Sequence, residues 1–176
     1  AQMQSEVAPD SLKPSVERLV QEAKKEKNVA LRAVYATVLY RVYKENQSLV
    51  DDADAKERIY EEYRNIALSS PEVLGKVKNA LYEPFVEKEK DSYIYNDDLL
   101  HLIGMEFGAW QWMHDYYEKV GNRRAACLTA LAVLEEGKGD HLEKLRESNY
   151  SRQLDSLINK YGDLDEAGEI ALERYA

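Results

Sequence analysis

Apolar residues recur along most of the chain at the three- and four-residue spacing of an amphipathic α-helix. Val16, Leu19, Val20 and Ala23 follow this spacing near the start of the chain. The next segment, from about residue 29 to residue 46, carries two apolar stripes, which is typical of a helix packed between neighbours. The pattern predicts an all-α fold of about eight helices in antiparallel hairpins joined by mostly short turns.

Helix starts are predicted where a capping residue precedes an apolar series. In "SSPE", Ser70 is the expected cap and Pro71 the first helical residue, and this helix should stop before Pro84. In "NDD", before Leu99, the acidic residues should cap one longer helix that covers about residues 99–120. "SYIY" could form a short extended piece, but no other segment offers it a partner strand.

The longest irregular stretch covers residues 83–98 and divides the apolar pattern into two parts. Its run of charged residues is most simply a solvated connection. We therefore expect N-terminal helical hairpins in residues 1–82, an irregular connection in residues 83–98 and C-terminal hairpins in residues 99–176. The two sets of hairpins are expected to form one continuous domain.

Two glycines stand where a tetratricopeptide hairpin places its turn. Around Gly121, Trp110, Tyr117, Ala126 and Ala130 fall at the tetratricopeptide positions. The alanines after Gly162 repeat the spacing, but the interval between the two glycines exceeds the roughly 34 residues of a regular array. The spacing favours a tetratricopeptide-like or irregular α-solenoid, with a closed helical bundle as the alternative.

Composition agrees with long helices and narrows the range of partners. The 176 residues include only 8 Gly and 4 Pro, so residues that interrupt helices are scarce. The net charge of −9 disfavours binding to nucleic acid or to an anionic membrane surface. No apolar run approaches the roughly 20 residues that a bilayer span needs, so direct membrane insertion is not expected.

Few residues suggest catalysis or metal binding. His101 follows Asp97 by one helical turn, and Glu118 follows His114 in the same way, so each pair could place two metal ligands on one helix face. No third or fourth ligand is evident, and His141 is isolated in sequence. Cys127, inside "AACLTA", is expected to be a small buried residue. The sequence predicts no metal, no cofactor and no catalytic residue.

The chain is rich in aromatic residues, with 13 Tyr and 2 Trp. Several fall near or opposite the main apolar stripe of the helix predicted at residues 99–120. If exposed, they would mark a protein contact; otherwise they form a second packing face toward the preceding hairpin. The possible contact residues are Tyr93, Tyr95, Trp112, His114 and Tyr116.

Four segments carry a family resemblance. They are "VAPDSL", "SYIYNDDLLHLIG", "YYEKVGNRRAACLTALAVLE" and "LDSLINKYGDLDEAGEIALERYA". In this order they resemble the N-terminal helical region of large alpha-2-macroglobulin-like proteins of Bacteroidetes. The resemblance implies a part of a longer periplasmic or secreted protein that traps proteases. The family's thioester motif is Cys-x-Glu-Gln, whereas Cys127 precedes Leu, Thr and Ala, so no functional residue carries over.

These observations predict a non-catalytic helical scaffold or protein-interaction domain. Its partner would be the following domains of the same chain or another envelope protein. One alternative is a small helical metal-binding protein or enzyme that uses His101 and His114. The other is a free-standing tetratricopeptide-like adaptor.

Overall fold

A computed structural model describes residues 9–83, 85, 90–137 and 143–176. Within these ranges the chain forms nine α-helices and three 3₁₀-helices, with no β-strand, so the prediction of an all-α fold is confirmed. The α-helices are α1 (Pro9–Lys25), α2 (Val29–Glu45), α3 (Ala53–Ala67), α4 (Pro71–Leu74), α5 (Leu99–Glu106), α6 (Trp110–Val120), α7 (Arg123–Glu136), α8 (Glu143–Tyr161) and α9 (Ala167–Tyr175). The 3₁₀-helices are Gln47–Leu49, Asn79–Tyr82 and Ser92–Tyr95. No helix in the described ranges is long and apolar enough to cross a bilayer.

The chain divides into two compact units, residues 1–88 and residues 89–176. The division falls inside the stretch 83–98, which the sequence predicts as the connection. That the two sets of helices form one continuous domain stays a prediction.

In the first unit, α2 is the central helix and contacts α1, α3 and α4. The Asn28 side chain caps it by accepting a hydrogen bond from the Leu31 amide at 3.0 Å. Small residues such as Ala33 and Ala36 are almost fully buried along α2, and Leu39 is completely buried. Small side chains on a central helix let neighbouring helices approach closely, which explains the two apolar stripes in its sequence.

The helix predicted from Pro71 to the residue before Pro84 is wrong in length. α4 ends after one turn at Leu74, and the chain then passes through turns into the 3₁₀-helix Asn79–Tyr82. Leu74 is buried, whereas Leu81, which the predicted helix would include, is 74% exposed. Gly75 follows α4 directly, and Lys78 is already extended. The low helix propensity of glycine and of β-branched Val77 accounts for the early end.

The single helix predicted over residues 99–120 is also wrong, because the chain breaks between α5 and α6. Gly108 has a φ of +58°, in the left-handed region that favours glycine. After this break, α6 packs against α5. A Cβ atom on Gly104 would lie 2.5 Å from the Met113 side chain, so this glycine provides space for the close contact. The apolar series runs across the break, and periodicity therefore does not reveal it.

The remaining helices of the second unit pack on their neighbours in sequence, α6 on α7, α7 on α8 and α8 on α9. Gly121 ends α6 with a φ of +75°, as its predicted turn position requires. Asn122 then caps α7, and its amide nitrogen donates to the Ile94 carbonyl at 2.9 Å. At the start of α7, Arg123 binds Asp163 in the turn between α8 and α9 at 2.8 Å.

Replacing Gly121 with alanine should lower the free energy of unfolding by about 1 kcal/mol or more, since a Cβ atom disfavours the left-handed backbone. Gly168→Ala is the matched control. Gly168 lies within α9, and a Cβ atom there would point into open space. That change should leave stability unchanged or raise it by roughly 0.5–1 kcal/mol. Urea unfolding followed by circular dichroism measures both, and equal effects would contradict the assigned turn.

Candidate functional site

The residues with the most chemical potential surround the start of α5, where Asp98 is the N-cap. Asn96 and Asp97 both adopt left-handed backbone, with φ of 57° and 51°, a conformation that Asn and Asp tolerate better than most residues. These two residues turn the chain so that Asp98 faces inward, where it is 1% exposed. Its Oδ1 accepts the His101 backbone amide at 2.9 Å, which confirms the predicted cap at "NDD".

His101 lies on the first turn of α5 with its imidazole completely buried. Its Nδ1 is 3.0 Å from Asp98 Oδ1, and its Nε2 is 3.1 Å from Ser92 Oγ. The acceptor at Asp98 indicates that Nδ1 carries a proton, so in the neutral imidazole Ser92 Oγ donates to Nε2. The ring also stacks on Tyr95, with centroids 4.9 Å apart and planes 6° from parallel.

Tyr117, from α6, adds a third donor to Asp98. Its hydroxyl lies 3.0 Å from Oδ1 and 2.9 Å from Oδ2 of the carboxyl group. The Tyr117 side chain is completely buried, and its ring packs against Tyr95 and Tyr116. Burial, followed by the nearby Asp98 charge, raises the pKa of Tyr117 far above its ordinary value. The phenol therefore stays protonated and donates throughout the neutral range.

Ser92, His101 and Asp98 are linked in the same order as the triad of serine hydrolases, with serine on Nε2 and aspartate on Nδ1. A triad also needs a serine oxygen that substrate can reach and donors aimed at the developing oxyanion. Ser92 and His101 are both 0% exposed. The geometry therefore holds α5, α6 and the 3₁₀-helix Ser92–Tyr95 together, and leaves no room for a substrate at the serine.

The structure separates the five predicted contact residues into three groups, buried, half-buried and exposed. Tyr95 and Tyr116 are buried against Tyr117, with exposed fractions of 6% and 8%. Trp112 and His114 are half-buried on α6. Tyr93 is 57% exposed, and the Arg124 guanidinium lies 5.5 Å from the centre of its ring. The surface available to a partner is therefore centred on Tyr93, with Trp112 and His114 partly accessible.

The histidines suggested as metal ligands do not come together. Both ring nitrogens of His101 are engaged within the buried network, and His114 Nδ1 lies 3.0 Å from the Ala126 carbonyl oxygen. Glu118, the suggested partner of His114, instead accepts the Tyr161 hydroxyl and pairs with Lys160 at 2.9 Å. His141 lies outside the described residues. Among the residues that are described, no three metal-ligating side chains are grouped.

Cys127 lies within α7 and is completely buried, as its sequence context predicts. Burial raises the pKa of the thiol to about 11, with a further contribution from the charge of Glu166. At neutral pH the group is therefore a thiol rather than the nucleophilic thiolate.

Sequence reasoning found Asp98 as a cap but missed its connection to Ser92 and Tyr117. Ser92 precedes His101 by nine residues across a turn with two left-handed residues, a spacing that matches no regular element. Tyr117 fits the predicted hairpin position, which explains its burial without indicating its hydroxyl partner. The one local signal was "NDD" before an apolar helix. A capping carboxyl group that is buried needs hydrogen-bond donors beyond the backbone amide that it caps.

Tyr117→Phe should lower the free energy of unfolding by about 1–3 kcal/mol, because it removes a donor from a buried carboxyl group. Tyr175→Phe, at a residue that is 82% exposed, is the control and should change stability by less than about 0.5 kcal/mol. Urea unfolding at neutral pH measures both variants. A Tyr117→Phe variant as stable as the wild type would show that the hydroxyl is dispensable.

Tyr117→Phe should also change how the free energy of unfolding depends on pH under alkaline conditions. Because the pKa of Tyr117 is higher in the folded than in the unfolded chain, its contribution is complete below about pH 10 and is lost as pH rises further. The wild type should thus lose stability above about pH 10 more steeply than Tyr117→Phe does. Identical slopes would contradict the assigned cause.

Comparison of the chain with known protein families, with curated proteins and with solved structures finds no match in any of the three.

Proposed function

We propose that this chain is a non-catalytic helical domain that acts as a scaffold and binds another protein surface. The observation that carries the proposal is the complete burial of Ser92 and His101, the residues best arranged for chemistry. Groups that react with a substrate must be reachable by it, whereas groups that hold a fold together are best placed out of water. Cys127 is completely buried as well, and its raised pKa keeps the side chain a thiol at neutral pH.

The binding surface that we propose is the Tyr93 patch, formed by Tyr93, Arg124 and Glu166. Arg124 Nε donates to Glu166 Oε1 at 2.6 Å, and the guanidinium lies 5.5 Å from the centre of the exposed Tyr93 ring. The patch combines the 3₁₀-helix Ser92–Tyr95, α7 and the segment before α9. Tyrosine and arginine are the residue types most often found at the energetic centres of protein interfaces, and the ion pair orders the arginine before binding.

The partner that we propose is the set of domains that follows this region in a longer chain. The resemblance to the N-terminal helical region of Bacteroidetes alpha-2-macroglobulin-like proteins supports this context, and with it a periplasmic or secreted location. Packing of α6 on α7, α7 on α8 and α8 on α9 is compatible with a tetratricopeptide-like or irregular solenoid. A net charge of −9 gives no support to a nucleic-acid partner.

The reading frame that contains this sequence tests the macroglobulin context. The proposal predicts a signal peptide upstream and a long series of β-domains downstream. A stop codon directly after Ala176 would contradict it and would favour the free-standing adaptor.

A fluorophosphonate probe, which labels accessible and activated serines, should leave Ser92 unmodified in the folded protein because its hydroxyl is 0% exposed. Mass spectrometry of tryptic peptides reads the result, with a known serine hydrolase in the same reaction as the positive control. Stoichiometric labelling of Ser92 that is lost in His101→Gln would overturn the non-catalytic assignment.

Tyr93→Ala should weaken binding to the following domains by roughly tenfold or more, as expected for an aromatic residue at the centre of an interface. Tyr175→Ala is the matched control, because Tyr175 is also an exposed tyrosine beside an arginine, Arg174. Isothermal titration calorimetry with the separately purified following domains measures both. Equal affinities for the two variants and the wild type would place the interface elsewhere.

A further inference from the structure

The first unit contains a cavity of about 190 Å³ where α1, α2 and α3 meet. Val20 and Ala23 come from α1, Ala36 from α2, and Tyr63 and Ile66 from α3, so its interior is mainly apolar. Ala36 and Tyr63 are buried, and the other three are half-buried, which places this lining between the core and solvent. The cavity is a recess that one small apolar group could fill.

Charged residues from all three helices also line this cavity. Lys24 lies in the last turn of α1, Arg32 in the first turns of α2, and Glu62 on α3. All three are exposed, and neither Lys24 nor Arg32 makes an ion pair with another described residue. The mouth therefore carries a local excess of positive charge on a chain of net charge −9.

We propose that this cavity binds a small amphipathic monocarboxylate, with its apolar part against Ala36 and Tyr63 and its carboxylate between Lys24 and Arg32. The site is independent of the Tyr93 patch and of the proposed scaffold function, because it lies wholly within the first unit.

Size and charge favour this class of ligand. Sites for drug-sized molecules enclose roughly 300–1,000 Å³, so a cavity of about 190 Å³ suits a ligand of only about ten heavy atoms. A ligand with several negative charges would be repelled by the acidic chain and by Glu62, whereas a single carboxylate meets two cations at short range. Burial, together with the Tyr43 and Glu62 charges, raises the pKa of Tyr63 to about 12, so this tyrosine adds no negative charge inside.

Titration of ¹⁵N-labelled protein with 3-phenylpropionate, followed by heteronuclear NMR, tests the proposal directly. Saturable shifts should appear at the residues that line the cavity, with a dissociation constant of about 1 mM or tighter, as expected for so small a ligand. The neutral 3-phenylpropionamide, which has the same shape, should bind at least about threefold more weakly. Absence of saturable shifts at the cavity, or equal binding of the amide, would overturn the proposal.

Variants at the mouth make the test more specific, because removing a cation and removing the anion should change the affinity in opposite directions. Lys24→Gln and Arg32→Gln should each weaken binding by about two- to fivefold, and Glu62→Gln should strengthen it by a similar factor. Lys25→Gln is the charge-matched control, since Lys25 neighbours Lys24 on α1 but does not line the cavity. If Lys25→Gln weakens binding as much as Lys24→Gln does, the attraction is not specific to the cavity and the site is wrong.

Two further experiments test whether the ligand lies in the apolar recess and which class of ligand the recess binds. Ala23→Leu, at a half-buried helical position of the lining, should fill the recess and abolish the shifts, while the rest of the spectrum shows that the protein remains folded. Retained affinity in this variant would contradict binding inside the cavity. An acidic peptide with a central Phe should not compete with 3-phenylpropionate, and binding of the peptide alone would replace this proposal with a peptide site.

Discussion

The carboxyl group of Asp98 organises the second unit of the chain. It accepts hydrogen bonds from the His101 backbone, the His101 ring and the Tyr117 hydroxyl, all at about 3 Å and away from water. The ring then continues to Ser92, so one buried acidic group links two helices and the turn that precedes them. Because each member has its partners, the network contributes order without the cost of an unsatisfied polar group.

This network also shows why connectivity alone is a poor guide to catalysis. Serine, histidine and aspartate are joined here as in a hydrolase, and the low dielectric of the interior strengthens each bond. The same burial keeps any substrate from the serine oxygen. The functions that we propose therefore use the surface, namely the exposed Tyr93 beside Arg124 and the charged mouth of the cavity in the first unit.

Helical periodicity was sufficient to predict the all-α class, the buried position of Cys127 and the turn at Gly121. It could not predict the break at Gly108, because the apolar series continues into α6 with little change of phase. The early end of α4 was missed for a related reason. The apolar residues keep a helical spacing past Gly75, although the chain there passes into a 3₁₀-helix. At the first break the left-handed Gly108 outweighed the surrounding pattern, and at the second the low helix propensity of Gly75 and Val77 did.

The site was predictable only in part, because its members are joined by tertiary contacts. A capping aspartate is a local signal, but whether its carboxyl group is also bound by a tyrosine of the next helix depends on how the chain folds back at Gly108. Likewise, the sequence indicated the aromatic residues near α6 as a group. Tertiary packing decides which of them face inward, and the sequence pattern does not reveal it. Tyr95 is buried and Tyr93 is exposed because the buried network holds the 3₁₀-helix in one orientation. Tyr116 is buried on α6, where its ring packs on Tyr117.

Native-state hydrogen exchange of the His101 backbone amide, which donates to Asp98 at 2.9 Å, tests the structural role of this network most directly. If the network holds the second unit together, this amide should exchange only through global unfolding of that unit, with the same free energy and urea dependence as the amides of the core of α7. Exchange through a local opening that needs much less free energy and shows little urea dependence would contradict that role. It would mean that the serine and histidine become accessible in the folded protein.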